Sequence, residues 1–238
     1  MKTISNSQIH GVNLWLRFVL LASVVSFAGT AFAQGSASRA ELPTVKVGDR
    51  WKSEQSDRRT GAKESEFDRK VTSVSASQIE GTENDGKFVW TPELNVVESS
   101  TAVISGEAKG LSFPLEIGKK WDYKYSFANK LNLTKGRWQL EANVAAYEKV
   151  KVPAGEFDAF KIEYKGFWNN DTSRQNGRLM LTNWFAPATR SVVKTEFDDG
   201  YNKWVRQLWS FSYSHEVPAA YPEVEDLNLI FMGDLFCA

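Results

Sequence analysis

From residue 119 onward, apolar and polar side chains alternate with a period of two, the spacing of a strand with one buried and one wet face. In Trp121-Asp122-Tyr123-Lys124-Tyr125-Ser126-Phe127, four rings fall on one face and the polar residues on the other. A helix would scatter those rings around its circumference. The pattern recurs at Trp138, Leu140, Ala142, Val144 and Ala146, with Gln139, Glu141 and Asn143 between them. It recurs again at Phe160, Ile162, Tyr164 and Trp168, with Lys161, Glu163 and Lys165 facing the other way. These segments predict half-buried strands of an antiparallel sheet. Shorter strands are expected at 178–185, 192–197 and 204–213, with Asp199-Gly200 and Asn176-Gly177 as hairpin signals, because glycine tolerates the positive φ of tight turns. Between 45 and 104 the pattern blurs: Phe67, Arg69, Val71 and Ser73 mix polar and apolar groups on one face, so strands are expected there without a definite register. Apart from the C-terminal tail, no stretch of ten residues after Gln34 keeps a helical period.

One heptapeptide has an echo. Val45-Lys46-Val47-Gly48-Asp49-Arg50-Trp51 is matched by Leu115-Glu116-Ile117-Gly118-Lys119-Lys120-Trp121, each with a proline shortly upstream, Pro43 and Pro114. The physical reading is a strand start, in which glycine permits a bend or bulge and tryptophan opens the inward-facing row. Only Gly and Trp are identical in register, so chance similarity between two β-rich starts is the alternative. The expected fold is mostly β, an antiparallel curved sheet or half-barrel, with two similar sheet halves if the echo is real.

The ends differ from this middle. Residues 1–33 read as an export signal: Lys2 and Arg17 are its only charges, residues 18–28 form an apolar, charge-free run, and Ala31-Phe32-Ala33 supplies the small-x-small cleavage pattern. Eleven residues fall short of the ~20 a spanning helix needs, so no integral membrane span is expected after cleavage. No cysteine follows the cleavage site to accept a lipid. Residues 34–42 read as a disordered leader and 43–214 as the β-rich domain. Residues 215–238 begin as a linker, with Pro218, Pro222, Glu223, Glu225 and Asp226, and end as an apolar tail through Leu235-Phe236. That tail is expected to pack on the core or to dock a partner.

Charge and chemistry narrow the function. The chain balances 29 Lys and Arg against 29 Asp and Glu, and cleavage leaves it close to neutral, without the basic stripe that nucleic acid requires. Cys237 is the single cysteine and His215 the single histidine of the exported chain, too few for a catalytic triad or a transition-metal site. No phosphate-binding glycine loop is present. No catalytic residue, metal or cofactor is therefore assigned. Carboxylate chemistry would need two acids ~5–9 Å apart. The densest groups are Asp198-Asp199, in an apparent turn, and the acids of the linker.

What remains is aromatic. In a β fold such rings are first of all core, but a curved sheet can expose some of them to a cleft that binds an apolar ligand. Trp138, Trp168 and Trp184 are the candidates, since their strands have strongly polar opposite faces. Val152-Pro153-Ala154-Gly155, running into 156–162, then Asn183-Trp184-Phe185-Ala186-Pro187 and Val192-Val193-Lys194-Thr195-Glu196, resembles a pattern of uncharacterised bacterial secreted and periplasmic β-rich proteins. The resemblance implies a shape similar to the curved sheets of lipoprotein carriers, a periplasmic or secreted location in a Gram-negative cell, and no catalytic residues. The expected role is a non-enzymatic exported protein binding an apolar small molecule or a cell-envelope partner. The alternatives are an interaction module acting through a sheet edge or the tail, and a carboxylate-based hydrolase of envelope polymers.

Overall fold

The computed structural model describes residues 39–214. The expected signal, most of the leader, His215, the acidic linker, the apolar tail and Cys237 lie outside these residues. In chain order the strands are β1 (Arg39–Ala40), β2 (Arg50–Asp57), β3 (Lys63–Val74), β4 (Ile79–Glu83), β5 (Gly86–Trp90), β6 (Val96–Glu98), β7 (Ala102–Ser105) and β8 (Leu115–Glu116). They continue with β9 (Lys120–Asn129), β10 (Lys135–Val152), β11 (Gly155–Asn170), β12 (Gln175–Ala186), β13 (Ser191–Asp198) and β14 (Lys203–Ser212), with one 3-10 turn at Pro187–Thr189.

Twelve strands form a closed antiparallel barrel in the order β10-β11-β12-β13-β14-β2-β3-β4-β5-β6-β7-β9, closing between β9 and β10. The curved sheet expected from the second half of the sequence is thus completed by β2 to β7, from the stretch where alternation blurs. The seam between β6 and β7 is the thinnest, a single residue pair, Glu98 with Val103. Lys130 braces it, its Nζ donating to Glu98 Oε1 at 2.6 Å and to the Ser99 carbonyl at 2.7 Å. The small pair β1 and β8 lies outside the barrel ladder, so Arg39 and Ala40 of the expected leader are strand, and Ala40 is buried.

Local chemistry explains the turns. The β10–β11 hairpin pairs Val152 with Gly155 across Pro153-Ala154, and Pro187 opens the turn between β12 and β13. Asp199 organises the β13–β14 turn, its Oδ1 accepting the N–H groups of Tyr201 and Asn202. Asn176-Gly177 is a correction: both residues lie inside β12, and the turn comes earlier, where Asn170 Oδ1 accepts the N–H groups of Thr172 and Ser173. Glycine stands at 177 for a different reason, since a Cβ there would sit 2.8 Å from Nε1 of Trp168, packed across the strand pair.

The heptapeptide echo is structural. Gly48 and Gly118 both adopt positive φ, 94° and 87°. Their N–H groups donate to the carbonyls of Val71 and Val144, whose own N–H groups return to the carbonyls of Asp49 and Lys119. Trp51 then pairs with Arg69 and Trp121 with Ala142, and a register shift follows Val71 in one copy and Val144 in the other. Both tryptophans donate their indole N–H to a loop carbonyl, of Thr189 and of Lys109. The run β2-β3-β4 therefore repeats the geometry of β9-β10-β11.

Two buried clusters fill the molecule. The first gathers Leu140, Ala142, Val144, Phe160, Ile162, Tyr164, Leu179 and Phe185; the second gathers Trp51, Val71, Ile79, Phe88, Val150, Trp184 and Leu208. Leu94 packs against both.

Candidate functional site

Between the clusters lies a half-open cavity of about 180 Å³. Its lining draws on Trp51 and Ser53 of β2, Arg69 of β3, Trp90 of β5, Tyr123 of β9, Asn183 and Phe185 of β12 and Leu208 of β14, with Leu94, Asn95, Leu111 and Arg190 from loops. Strands β3 and β12 are separated by three others on one side of the ring and by more on the other, so a space they both line is the barrel interior. At roughly 30 Å³ per water-sized volume, the cavity holds about six such volumes, enough for a small organic molecule or one segment of a longer one.

The lining is two-sided. Trp51, Trp90, Phe185 and Leu208 are apolar, and the Trp51 and Trp90 rings lie 6.0 Å apart. The polar lining includes Ser53, Arg69, Asn183 and Arg190, and from Asn183 a polar row set by strand register leads away from the cavity: Asn183 pairs with Thr195, Thr195 with Arg206, and Arg206 with Gln55, across β12, β13, β14 and β2. Thr195 Oγ1 donates to Asn183 Oδ1 at 2.8 Å, and Arg206 Nη2 donates to Gln55 Oε1 at 2.8 Å. The row stays polar because each member finds a neighbour; a buried amide or hydroxyl without one would be strongly unfavourable.

Arg206 is the exception. Its Nε is buried and has no hydrogen-bond partner. The guanidinium lies 3.6 Å from the centre of the Phe67 ring and 5.2 Å from that of Trp204, where ring faces attract a cation. Burial pushes its pKa down to about 9; the like charge of Arg69 adds to this and Glu83 opposes it. A guanidinium remains cationic at neutral pH even so.

Glu83 is the buried acid beside this row. Its Oε2 pairs with Arg69 Nε, while Oε1 accepts from the Ser100 N–H at 3.2 Å and the Ser100 hydroxyl at 2.5 Å. Burial alone would raise its pKa, but Arg69 and Ser100 outweigh that and hold it below the ordinary 4.5. Tyr123, with its hydroxyl buried, has its pKa pushed up to about 12, and Tyr164 is raised further. Both phenols therefore stay neutral hydrogen-bonding groups. Among the described residues, no Asp or Glu lines the cavity.

The three tryptophans expected at a ligand site are placed elsewhere. Trp138 belongs to a chain of interior rings, 5.3 Å from Tyr125 and 5.9 Å from Phe197, which in turn stacks on Trp204 at 4.7 Å. Trp168 pairs across the sheet with Trp138 and donates its indole N–H to the Asp199 carbonyl at 3.1 Å. Trp184, 7% exposed, faces away from its neighbour Phe185, donates to Glu148 Oε1 at 2.8 Å, and carries Lys194 4.6 Å over its ring. None of the three lines the cavity; Trp51 and Trp90 do. The sequence signal for the polar side was a charged residue at a ring-bearing position: Arg206 between Trp204 and Leu208, and Arg69 between Phe67 and Val71.

Fold and cavity together define a closed antiparallel barrel with a mixed polar and aromatic interior. A solved structure shares this fold. A protein of Bacteroides fragilis, described as an exported-protein candidate with a YmcC-like fold, superposes with a TM-score of 0.51 at 14% identity, covering 73% of this chain and 99% of that one. A lipoprotein candidate of Parabacteroides distasonis gives 0.49 at 15% identity over 73% and 99% of the two chains. The hypothetical lipoprotein YmcC of Escherichia coli gives 0.41 at 10% identity over 68% and 84%. No family profile and no curated protein matches the sequence. At 14% identity the first likeness establishes the fold and nothing finer.

Proposed function

We propose that this chain is a non-enzymatic exported bacterial protein of the cell envelope that takes a small amphiphile into its barrel. The observation that carries the reading is the interior cavity lined by Trp51, Trp90, Phe185 and Leu208 together with the polar Ser53, Arg69 and Asn183, a lining suited to one apolar and one polar end of the same molecule. The signal-like residues 1–33 and the description of the Bacteroides fragilis neighbour as an exported-protein candidate support the location. The closed ladder leaves the barrel strands β2 to β7 and β9 to β14 each with two neighbours, so a partner strand finds no free barrel edge.

Titration of octan-1-ol into isotope-labelled protein tests this. Saturable amide shifts are expected at Ser53, Trp90 and Asn183, with weaker binding in Trp90→Ala and unchanged binding in Trp184→Phe. Shifts spread evenly over the outer faces, or none up to the solubility limit, would refute the reading.

A further inference from the structure

The barrel interior carries more positive charge than it neutralises. Arg69 of β3 and Arg206 of β14 flank β2, Arg206 opposite Gln55 and Arg69 opposite Trp51, and the charge of Arg69 is felt at Arg206, while Glu83 is the acid buried with them. Glu83 is already committed, since one oxygen meets Arg69 and the other meets both donors of Ser100. Arg206 is left with a neutral amide oxygen on Nη2 and nothing on Nε. Those two nitrogens form the edge of the guanidinium that binds a carboxylate or phosphate through two parallel hydrogen bonds. Arg206 does not itself line the cavity but adjoins residues that do: Leu208, two residues along the same strand, and Asn183, bonded to its cross-strand neighbour Thr195.

We propose that the polar end of the ligand is anionic, a carboxylate or a phosphate ester, and that Arg206 recognises it with Arg69 nearby, the anion taking the place of the Gln55 amide. The inference rests on the reading of the barrel as a binding protein and adds the charge of what is bound. The geometry explains why Gln55 is the displaceable group: its own Nε2 is held only by Glu64, an exposed acid, at 2.9 Å. The apolar end of the ligand then lies against Trp51, Trp90 and Leu208.

Three probes of equal chain length separate the possibilities: octanoate, octyl phosphate and octan-1-ol, titrated at pH 7 by calorimetry. A charge-assisted bidentate contact predicts that at least one acid binds about tenfold or more tightly than the alcohol. The better of the two acids identifies the headgroup as carboxylate or phosphate. In Arg206→Gln the preference should fall toward unity. In Gln55→Glu, combined with Glu64→Gln so that the new carboxylate does not meet the Glu64 carboxylate that the Gln55 amide now donates to, a built-in carboxylate reaches Arg206 with its ring stacking in place, and the preference should fall likewise. If Arg206→Gln fails to fold, Gln55→Glu with Glu64→Gln still decides. Alcohol binding as tightly as both acids overturns the anion inference and leaves the binding reading standing. An acid preference that survives both substitutions overturns the assignment to Arg206. Failure of all three probes to bind removes both readings.

Discussion

Replacing Glu83 by glutamine probes the interior charge arrangement most directly. The carboxylate is 2% exposed and its partner Arg69 is 27% exposed, so the pair is sealed on one side and open to the barrel interior on the other. Breaking a fully buried pair by removing one charge costs about 3–5 kcal/mol, because the remaining charge is stranded. Two features reduce this here. Arg69 retains some hydration, and glutamine keeps an oxygen for the Ser100 donors. Against them stands Arg206, whose like charge would then face Arg69 with no acid between them. The balance is a loss of roughly 2–4 kcal/mol. Urea unfolding should show the midpoint falling with an unchanged slope, and for a domain of this size the melting temperature should fall by roughly 5–12 °C. The companion variant Arg69→Met with Glu83→Gln removes both charges and keeps an acceptor for the two Ser100 donors. It should lie within about 1 kcal/mol of the parent or above it, since desolvating the pair consumes most of its attraction. A Glu83→Gln loss below about 0.5 kcal/mol, or a double variant less stable than Glu83→Gln alone, would refute the claim that the two charges stabilise the interior mainly by neutralising each other.

Two further outcomes follow from the same geometry. Because Glu83 is held below its ordinary 4.5 in the folded protein, its contribution is fully present above that value and is lost as pH falls through the folded pKa. The stability gap between the parent and Glu83→Gln should therefore be constant at neutral pH and narrow as pH falls below about 4.5, measured as urea midpoints from pH 7 to pH 3; a gap as wide at pH 3 as at pH 7 contradicts the assignment. Gly177→Ala should destabilise by about 1–3 kcal/mol and alter the near-ultraviolet circular dichroism, because its Cβ would meet Nε1 of Trp168 at 2.8 Å, and a neutral result would show that this indole moves freely.

The strands legible in the sequence were those with one consistently apolar face. The expected 178–185, 192–197 and 204–213 correspond to β12, β13 and β14 with ends differing by a few residues, and the alternating rings of 121–127 lie in β9. Strands β2 to β7 were blurred because their inward positions carry Ser53, Arg69 and Glu83, which break the amphipathic period while still facing inward. Closure of the sheet was hidden for the same reason, since it depends on these strands completing the ring. Trp138, Trp168 and Trp184 do not coincide with the cavity, because ring content marks core packing as readily as it marks an open cleft. In β10 and β11 the rings pack against one another, whereas the cavity forms where large side chains give way to smaller and polar ones.

The repeat makes sense of that contrast. Superimposing the two strand starts by register sets Trp51 on Trp121, Ser53 on Tyr123, Arg69 on Ala142 and Glu83 on Tyr164. The interior ion pair Arg69 with Glu83 thus occupies the place where the other copy pairs Ala142 with Tyr164. One copy fills its share of the interior with rings, Trp121 and Tyr164 lying 6.3 Å apart at right angles. The other copy spends the equivalent positions on charge and a short serine, leaving space beside them. A barrel made of two equal apolar halves would close over a dry core at native packing density. Divergence between the two copies leaves this barrel with a cavity whose lining joins the rings of Trp51 and Trp90 to the charge of Arg69 and the short side chain of Ser53.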